Sequence, residues 1–367
     1  MTFHPPWSER LSKRSLRGIV FGLAVGTIGG VLADWAHVPL AWMLGALFLT
    51  MAASLAGLPV QVPTWLRMNF IILIGLFLGE SFDRLTLEEF ARWPVTLAGA
   101  VLYVPVGAYA AYVFFRHVAR EDRNTAICEA VPGGLSAVIL LATTMGADER
   151  AVALSQSLRI SIVVLLAPLI AFGILGLPHP QHVELPPEAL ISPHELLILL
   201  AASLVTIWLL NRAGMPMSAL VAPVIASAVL RMGGVVDGAL PPLLVELSLI
   251  VLGASIGSRF AGISFGRWLS IAGMTLIGTL ILMAVSALFA LMIAWVTGQD
   301  VMPLLLAYAP GGVAEMSLIA IAIDADPGFV AVHHIVRISF ILLTFPLFAA
   351  WLMRRHTAPA AVKETES

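Results

Sequence analysis

The sequence predicts an all-α polytopic membrane protein, built from two homologous repeats that face in opposite directions across the bilayer. Three observations support this fold class: few charged residues, apolar blocks long enough to cross a bilayer, and an internal repeat covering nearly the whole chain. Hydrophobic residues make up 59% of the 367 residues and charged residues only 11%. A soluble domain of this size carries about 25% charged residues, so the chain lacks the polar side chains needed to cover a water-facing surface.

The apolar residues are gathered into long blocks. In the first part of the chain these are Leu16–Ala36, Val38–Gly57, Pro63–Glu80 and Trp93–Phe115. About 20 residues of helix cross a bilayer, and a backbone in hydrocarbon must satisfy its own hydrogen bonds. Each block therefore predicts a spanning helix. The first block is too long for a signal-peptide core, which indicates an uncleaved first span.

The internal repeat appears when Pro132 is placed on Pro310, an offset of 178 residues. Residues 132–169 then align with 310–347 without a gap, and Arg159 falls on Arg337. Shared apolar composition explains matches among Leu, Val and Ala, but not Pro-Gly-Gly, Asp, Arg and Pro at fixed spacing. The offset also holds upstream, where glycines and prolines recur. We therefore divide the chain into a cytoplasmic N-terminus (1–15), repeat 1 (16–176), a linker (177–192), repeat 2 (193–352) and a cytoplasmic tail (353–367).

The orientation of the repeats depends on the number of crossings. Each half has six apolar segments, so full crossing by all six gives twelve spans and parallel repeats. Five crossings plus one broken or re-entrant Pro-Gly-Gly segment give ten spans and inverted repeats. Cytoplasmic loops of membrane proteins are enriched in Lys and Arg. The inverted arrangement places more of the basic residues on the cytoplasmic side than the parallel one does, so the sequence favours inverted repeats.

The repeated Pro-Gly-Gly segments are the first candidate functional feature. Proline removes a backbone donor and blocks the preceding helical turn, and glycine makes positive φ accessible. Irregular backbone at membrane depth is tolerated where it is buried in protein or lines a cavity, and transporters with inverted repeats bind substrates at such breaks. A kink that serves packing alone is the alternative. The candidate residues are Pro132, Gly133 and Gly134 in repeat 1 and Pro310, Gly311 and Gly312 in repeat 2.

Two arginines within apolar segments are the second feature. Arg159 and Arg337 each lie about mid-depth in a predicted helix, given a rise of about 1.5 Å per residue. A cation there is costly unless it pairs or faces water, and intramembrane charges are functional candidates. Glu129 and Glu315, one near each break, are the expected carboxylate partners. The arginines then bind an anionic substrate or exchange ion pairs, or else they form structural pairs.

Polar neighbours accompany both arginines. Most lie on the arginine's own helical face or directly beside it, where they either support a site or satisfy nearby backbone groups. These supporting residues are Ser155, Gln156 and Ser161 in repeat 1 and His333, His334 and Ser339 in repeat 2. Asp148 and Asp326 begin the two arginine-containing helices and are predicted to be N-terminal caps.

Several other functions lack a sequence signature. The net charge of −2 and the missing basic stripe give no reason to expect a nucleic-acid partner. No phosphate-binding loop, metal-ligand cluster or catalytic triad is apparent, so no cofactor, metal or catalytic residue is predicted. Cys128 is the sole cysteine, which rules out an intrachain disulfide.

The paired motifs resemble a known family. E-A-V-P-G-G-L-S (Glu129–Ser136) and A-P-G-G-V-A-E-M (Ala309–Met316), each followed by an R-I-S helix, are similar to those of the bacterial AbrB-duplication membrane proteins. The resemblance covers nearly the full length. Members carry labels of ammonia monooxygenase and of regulator of gene expression, and the resemblance transfers no catalytic residues.

The sequence predicts a secondary transporter or exporter of a small anionic organic solute, with its site between the repeats and H⁺ or Na⁺ coupled through Glu129 or Glu315. A membrane-embedded regulator of gene expression that acts through a partner is the alternative. A membrane enzyme is third, because the residues show no copper or iron ligands. The expected location is the bacterial inner membrane, with both termini cytoplasmic. The expected partners are the lipid bilayer and the solute. The sequence is compatible with a dimer but does not give the oligomeric state.

Overall fold

The computed structural model describes residues 13–80, 87–133, 135–174, 176, 190–215 and 217–356. Repeat 1 contains α1 (Lys13–Trp35), α2 (Ala41–Leu55), α3 (Thr64–Gly79), α4 (Leu87–His117), α5 (Arg123–Ala130), α6 (Leu135–Met145) and α7 (Glu149–Pro168). Repeat 2 contains α8 (Pro193–Arg212), α9 (Ser218–Met232), α10 (Pro242–Gly257), α11 (Phe265–Thr297), α12 (Val301–Tyr308), α13 (Val313–Ala322) and α14 (Pro327–His356). The predicted site residue Gly134 lies outside the described residues, as do residues 1–12, most of the linker and residues 357–367.

Seven of the described helices are long and apolar enough to cross a membrane, namely α1, α4, α7, α8, α10, α11 and α14. A 3-10 turn, Ser258–Phe260, lengthens α10. The apolar helices α2, α3 and α9 have 15 or 16 residues, about 23 Å at 1.5 Å per residue. In place of strands, the described part of the chain has one isolated bridge, between Leu190 and Ala239. The predicted class, an all-α multi-pass membrane protein, is confirmed.

The duplication is visible in the helix boundaries. Shifting α3 by 178 residues gives the bounds of α10, and shifting α5 gives those of α12. The turns before α2 and α9 also share an unusual backbone, since Leu40 and Met217 have φ of 53° and 57°. Non-glycine residues rarely adopt positive φ. Two matching exceptions indicate that both halves inherited the same turn.

Close helix packing shows how the repeats are oriented. A Cβ built on Gly253 of α10 would lie 2.2 Å from the carbonyl oxygen of Met43, and one on Gly257 would lie 2.6 Å from that of Leu47. Both helices advance by one turn between these contacts, so α10 runs parallel to α2. The N–H of Leu240, just before α10, donates to Glu80 at the end of α3. Arg67, at the start of α3, lines the same cavity as Arg259, at the end of α10. Therefore α10 is antiparallel to α3, its own counterpart, and the repeats are inverted.

The first Pro-Gly-Gly segment is a re-entrant hairpin. The side-chain amide of Asn124, at the start of α5, donates to the Met145 carbonyl oxygen at the end of α6 at 2.6 Å. The Asp148 N–H donates to Thr125 Oγ1 at 2.9 Å. The chain therefore leaves this segment on the face where it entered. In repeat 2, Asp300 and Asp326, which flank α12 and α13, line one small cavity, so that segment also returns to its starting face.

Aspartates begin the two arginine-containing helices, as predicted. The Asp148 carboxylate accepts from the N–H groups of Arg150 and Ala151 at 2.9 and 3.0 Å. The Asp326 carboxylate accepts from the Gly328 N–H at 2.7 Å. These bonds satisfy donors that the first helical turn leaves free.

Candidate functional site

The first break separates α5 from α6. After Ala130 the backbone turns extended at Val131, with φ −68° and ψ 122°, and Pro132 is buried. Gly133 has φ of 135°, a conformation that L-residues rarely adopt. Side-chain atoms of Ile338 and Ile341 would be in ordinary contact with a Cβ there. Backbone conformation, rather than lack of space, thus requires glycine at this position.

The second break separates α12 from α13 and uses glycine for a different reason. Ala309 is extended, with ψ of 139°, and Pro310 follows it. A Cβ on Gly311 would lie 2.9 Å from the end of the Met316 side chain, and one on Gly312 would overlap the Glu315 carboxylate. Glu315 therefore folds back over the start of α13. Glycine at this break thus leaves room for the flexible side chains of Met316 and Glu315, which would have to shift to admit a Cβ.

Arg159 caps the end of α5. Its side chain is buried, and Nη1 donates to the Val131 carbonyl oxygen at 2.7 Å. Its Nη2 donates to the side-chain oxygen of Gln156. Gln156 in turn donates to the carbonyl oxygens of Cys128 at 2.9 Å and Val131 at 3.2 Å. The break leaves these carbonyls without helical donors, and the arginine supplies replacements.

Arg337 caps the end of α12 in the same way. Its Nη1 donates to the carbonyl oxygens of Ala309 and Tyr308, and its Nη2 donates to that of Gly311 at 3.0 Å. Ala309 is the repeat equivalent of Val131. The sequence predicted carboxylate partners, but no ion pair within 4.0 Å joins Arg159 to Glu129 or Arg337 to Glu315, all of which are described. The carbonyls released by the breaks are the partners instead.

Arg159 and Arg337 lie near Tyr103 of α4, within electrostatic range of its hydroxyl and of each other. Tyr103 is fully buried and stacks on Tyr308, with ring centroids 6.5 Å apart and planes within 4°. Among the described residues, no hydrogen-bond partner is present for the Tyr103 hydroxyl or for Nε of Arg159 and Arg337. Two buried cations and three unused donors thus share one region between the repeats.

The histidines diverge in their surroundings. His333 contacts the Phe329 carbonyl oxygen and Thr96 Oγ1, both at 2.7 Å, and packs on Phe329. His334 Nδ1 contacts the Val330 carbonyl oxygen at 3.1 Å, while its buried Nε2 has no partner within the described part of the chain. His334 is the counterpart of Gln156. His333 thus ties α14 to α4, whereas His334 retains a free ring nitrogen.

The predicted serines have mainly local contacts. The Ser161 hydroxyl donates to the Ser157 carbonyl oxygen at 3.1 Å, one turn back along its own helix. Ser155 accepts a hydrogen bond from Thr275 Oγ1 at 3.3 Å and so links α7 to α11. Ser339 is half-buried on α14. These contacts support the helices that carry the arginines.

The two glutamates lie in different places. Glu129, on α5, is 5% exposed, and its electrostatic neighbours are Glu121, Asp148 and Asp122 and, more weakly, Arg159. Glu315 is half-buried in the first turn of α13 and interacts with Arg67 and Arg259, two arginines from other helices. Glu129 thus lies between these acidic residues and Arg159, whereas Glu315 connects the second break to a separate basic cluster.

That basic cluster lines a cavity of about 840 Å³ between α3, α7, α10 and α11. Four arginines contribute to it: Arg67, Arg150, Arg259 and Arg267. Sequence reasoning missed this arginine cavity because the four residues come from separate segments and have no arginine at the repeat-equivalent positions. The only hint in the sequence was the positive charge of the loop with Arg259 and Arg267, which we used to predict the membrane topology.

The repeat symmetry relates the region of the arginine cavity to a region on the opposite face of the molecule. That region contains an ion pair. Arg231 Nη2 lies 2.8 Å from Glu80 Oε1 and also donates to the Gly238 carbonyl oxygen at 2.9 Å. Glu80 Oε1 accepts from the Leu240 N–H at 3.0 Å. Apolar residues Leu76, Leu199, Val236 and Leu240 pack beside this pair. The ends of α3 and α9 are thereby joined and closed off.

Comparison with known proteins agrees with the duplicated membrane fold. The family model described as "Transition state regulatory protein AbrB" matches residues 4–92 and 42–353. The chain is 28% identical over 320 residues to "Putative regulator AbrB" of Escherichia coli K12, covering 86% of this chain and 91% of that protein. It is 25% identical over 363 residues to "Uncharacterized protein YhjN" of Bacillus subtilis 168, covering 91% and 93%. The chain therefore belongs to the AbrB family of membrane proteins.

Proposed function

We propose that this protein is a secondary transporter or exporter of a small anionic organic solute, bound between the two repeats. The observation that carries the proposal is that Arg159 and Arg337 lie within electrostatic range of each other and of Tyr103, with unused donors on all three side chains. Buried donors without acceptors are costly. A carboxylate or similar anion would satisfy them and would offset the repulsion between the two cations.

The inverted repeats support transport. In transporters with this architecture, substrates and ions bind at broken helices near the bilayer midplane, and access alternates as one repeat moves against the other. Both breaks in this chain are capped by arginine, so the charges that would hold the anion also hold the breaks. A movement at either break would reposition its arginine. Substrate binding and conformational change are coupled in this arrangement.

A coupling ion would use one of the glutamates. Glu129 is buried near Arg159, and Glu315 faces Arg67 and Arg259. Protonation of either, or Na⁺ binding there, would change the charge that the anion meets. We place the protein in the bacterial inner membrane with cytoplasmic termini, an orientation in which the arginine cavity faces the cytoplasm.

The test is flux into proteoliposomes, using a panel of radiolabelled mono-, di- and tricarboxylates. Arg159→Lys and Arg337→Lys keep the positive charge but lose the planar fork of donors, and we expect each to lower flux by about tenfold or more. Arg212→Gln is the control, because Arg212 is exposed and rests on the Trp208 ring, 4.2 Å from its centroid. Undiminished transport by a folded Arg159→Ala and Arg337→Ala double variant would exclude the proposed site.

The names of the matching family and of one relative favour a second candidate, a membrane-embedded regulator that acts through a partner. Affinity purification distinguishes the two functions. One soluble protein recovered in stoichiometric amount, with no carboxylate transported, would favour the regulator. Flux that depends on Arg159 and Arg337 would favour the transporter.

A further inference from the structure

We propose that the arginine cavity is a second anion site, selective for small soluble organic anions with two or more negative charges. This inference rests on the proposed function, because the cavity would lie on the route of the transported anion. None of the four arginines belongs to the central region, so the two sites are distinct. The four side chains come from α3, from α7, and from the end of α10 and start of α11. A site assembled from helices of both repeats changes shape when the repeats move.

The charge balance of the cavity indicates a multiply charged ligand. Asp148 Oδ2 lies 3.8 Å from Arg267 Nη2, and Glu315 acts on Arg67 and Arg259. Neither carboxylate lines the cavity, and together they offset two of its four guanidinium charges, which leaves an excess of two positive charges. A dianion would neutralise this excess, whereas a monoanion such as acetate would leave part of it.

The donors of the cavity include one that the protein leaves unused. Arg259 is half-buried, and its Nη1 is buried without a hydrogen-bond partner among the described residues. Guanidinium groups bind carboxylates and phosphates through paired N–H donors. Hydroxyl groups of Thr64 and of Ser157, Ser255, Ser258 and Ser264 add further polar lining. This is the donor set expected for a carboxylate-rich or phosphorylated small molecule.

The depth of the arginines indicates a direction of approach. Arg150 and Arg267 are exposed, whereas Arg67 and Arg259 are half-buried and interact with Glu315. Glu315 lies in the first turn after the second break. An anion entering past Arg150 would thus be drawn towards Arg67 and Arg259.

The test is isothermal titration of the purified full-length protein with succinate, citrate, acetate and inorganic phosphate, and with phosphatidylglycerol in detergent micelles. We expect succinate and citrate to bind about tenfold or more tightly than acetate. Arg67→Gln and Arg259→Gln should each weaken succinate binding by about tenfold, because each removes a charge-assisted pair of donors. Arg212→Gln should bind as wild type does, and Glu315→Gln should bind more tightly, because it removes an opposing negative charge.

Equal affinity for acetate and succinate, or binding unaffected by Arg67→Gln and Arg259→Gln, would overturn the inference. Binding of phosphatidylglycerol alone would assign the cavity to lipid headgroups and would also overturn it. Flux of a carboxylate that depends on Arg159 and Arg337 but not on Arg67 or Arg259 would leave the proposed function standing and remove the second site. Conversely, succinate binding at Arg67 and Arg259 without flux of any carboxylate would retain the second site and reject the transporter.

Discussion

The two repeats share one scaffold but carry different charges at the ends of their helices. Gly75 and Gly79 of α3 pack on α9, and Gly253 and Gly257 of α10 pack on α2 at the equivalent positions. The charged residues do not follow this symmetry. Arg67 and Arg150 of the arginine cavity correspond to Val245 and Gly328 in repeat 2. Glycine contacts were thus retained in both halves, while the side chains at the helix ends diverged.

This divergence makes the two faces of the molecule unlike each other. Glu80 and Arg231 close one face as an ion pair, and their repeat equivalents on the other face are the serines Ser258 and Ser54. The second of these follows the offset of 177 residues that relates α9 to α2. The face with serines is the one with the arginine cavity. In an inverted repeat the two faces are related by the internal symmetry. Among the described residues, one face therefore has a cavity and the other an ion pair, a difference that alternating access would use under the proposed function.

The largest expected effect is a loss of stability on replacing an arginine that caps a break, and it should differ between Arg337 and Arg159. Arg337→Ala would leave the carbonyls of Tyr308, Ala309 and Gly311 without donors, and we expect it to lower the free energy of unfolding by about 3 kcal/mol or more. Arg159→Ala should cost less, because Gln156 still donates to the Val131 carbonyl. Thermal unfolding in detergent measures both. Equal losses of unfolding free energy would contradict the prediction, because the hydrogen bonds described above differ between the two breaks.

The next effect tests whether the shared glycines determine helix packing. A Cβ on Gly257 would lie 2.6 Å from the Leu47 carbonyl oxygen, and one on Gly79 would lie 2.8 Å from that of Val224. We expect Gly257→Ala and Gly79→Ala to cost about 1–3 kcal/mol each. A Cβ on Gly266, in the first turn of α11, would have no neighbouring atom within 4 Å, so Gly266→Ala is the matched control. A control as destabilising as the other two variants would remove the packing argument.

Sequence reasoning identified the features that the duplication preserved. The breaks, Arg159 and Arg337 were found because unusual residue types recur at one offset, and the inverted orientation followed from loop charges. The carbonyl partners of the arginines were not predicted, because opposite charges suggested the glutamates. Glu129 interacts with Arg159 without forming an ion pair, and Glu315 interacts with Arg67 and Arg259. Sequence spacing does not show that each break turns its free carbonyl oxygens towards the arginine on the helix after the hairpin.

Features without a repeat counterpart were not accessible from the sequence. Tyr103 corresponds to Ile281 and looked like one aromatic residue in an apolar helix. Its position near both arginines depends on the packing of α4 against α12 and α14. The arginine cavity likewise forms only when segments distant in sequence pack together. Tertiary packing, rather than local pattern, brings these residues into one site.

A smaller effect concerns the closed face. Glu80→Gln should weaken the bond to Arg231 and favour opening between α3 and α9. Ser227 lies behind the pair, where its hydroxyl donates to the Leu76 carbonyl oxygen and accepts from Arg231 Nε. In a Cys128→Ala background, a water-soluble maleimide should label the Ser227→Cys variant several-fold faster once Glu80→Gln is added. The same change should not alter labelling of Gly266→Cys, which lies beside the arginine cavity.

Unchanged labelling at Ser227→Cys would mean that the apolar cluster closes this face without the ion pair. Faster labelling at both positions would mean general loosening of the fold. Only a selective increase supports a specific closing role for Glu80 and Arg231.

The smallest effect comes from the loop before α5, where the repeats differ at one charge. Glu121 corresponds to Gln299, whereas Asp122 and Asp148 recur as Asp300 and Asp326. Partial burial raises the pKa of Glu121, and the nearby negative charges of Asp122 and Asp148 raise it further. A carboxyl whose pKa is raised by folding favours the folded state at low pH, and this contribution is lost as the pH rises through the raised pKa.

Glu121→Gln, which copies repeat 2, should therefore stabilise the protein slightly at neutral pH and have no effect well below the ordinary glutamate pKa. Solvent screening limits the gain to about 0.5 kcal/mol. The Arg116 bond to the residue 121 carbonyl, at 2.8 Å, is retained because it uses the backbone. Thermal unfolding across a pH series measures the difference. A stabilisation that persists at low pH would show that charge repulsion in this loop is not its cause, and that the repeats differ here in packing instead.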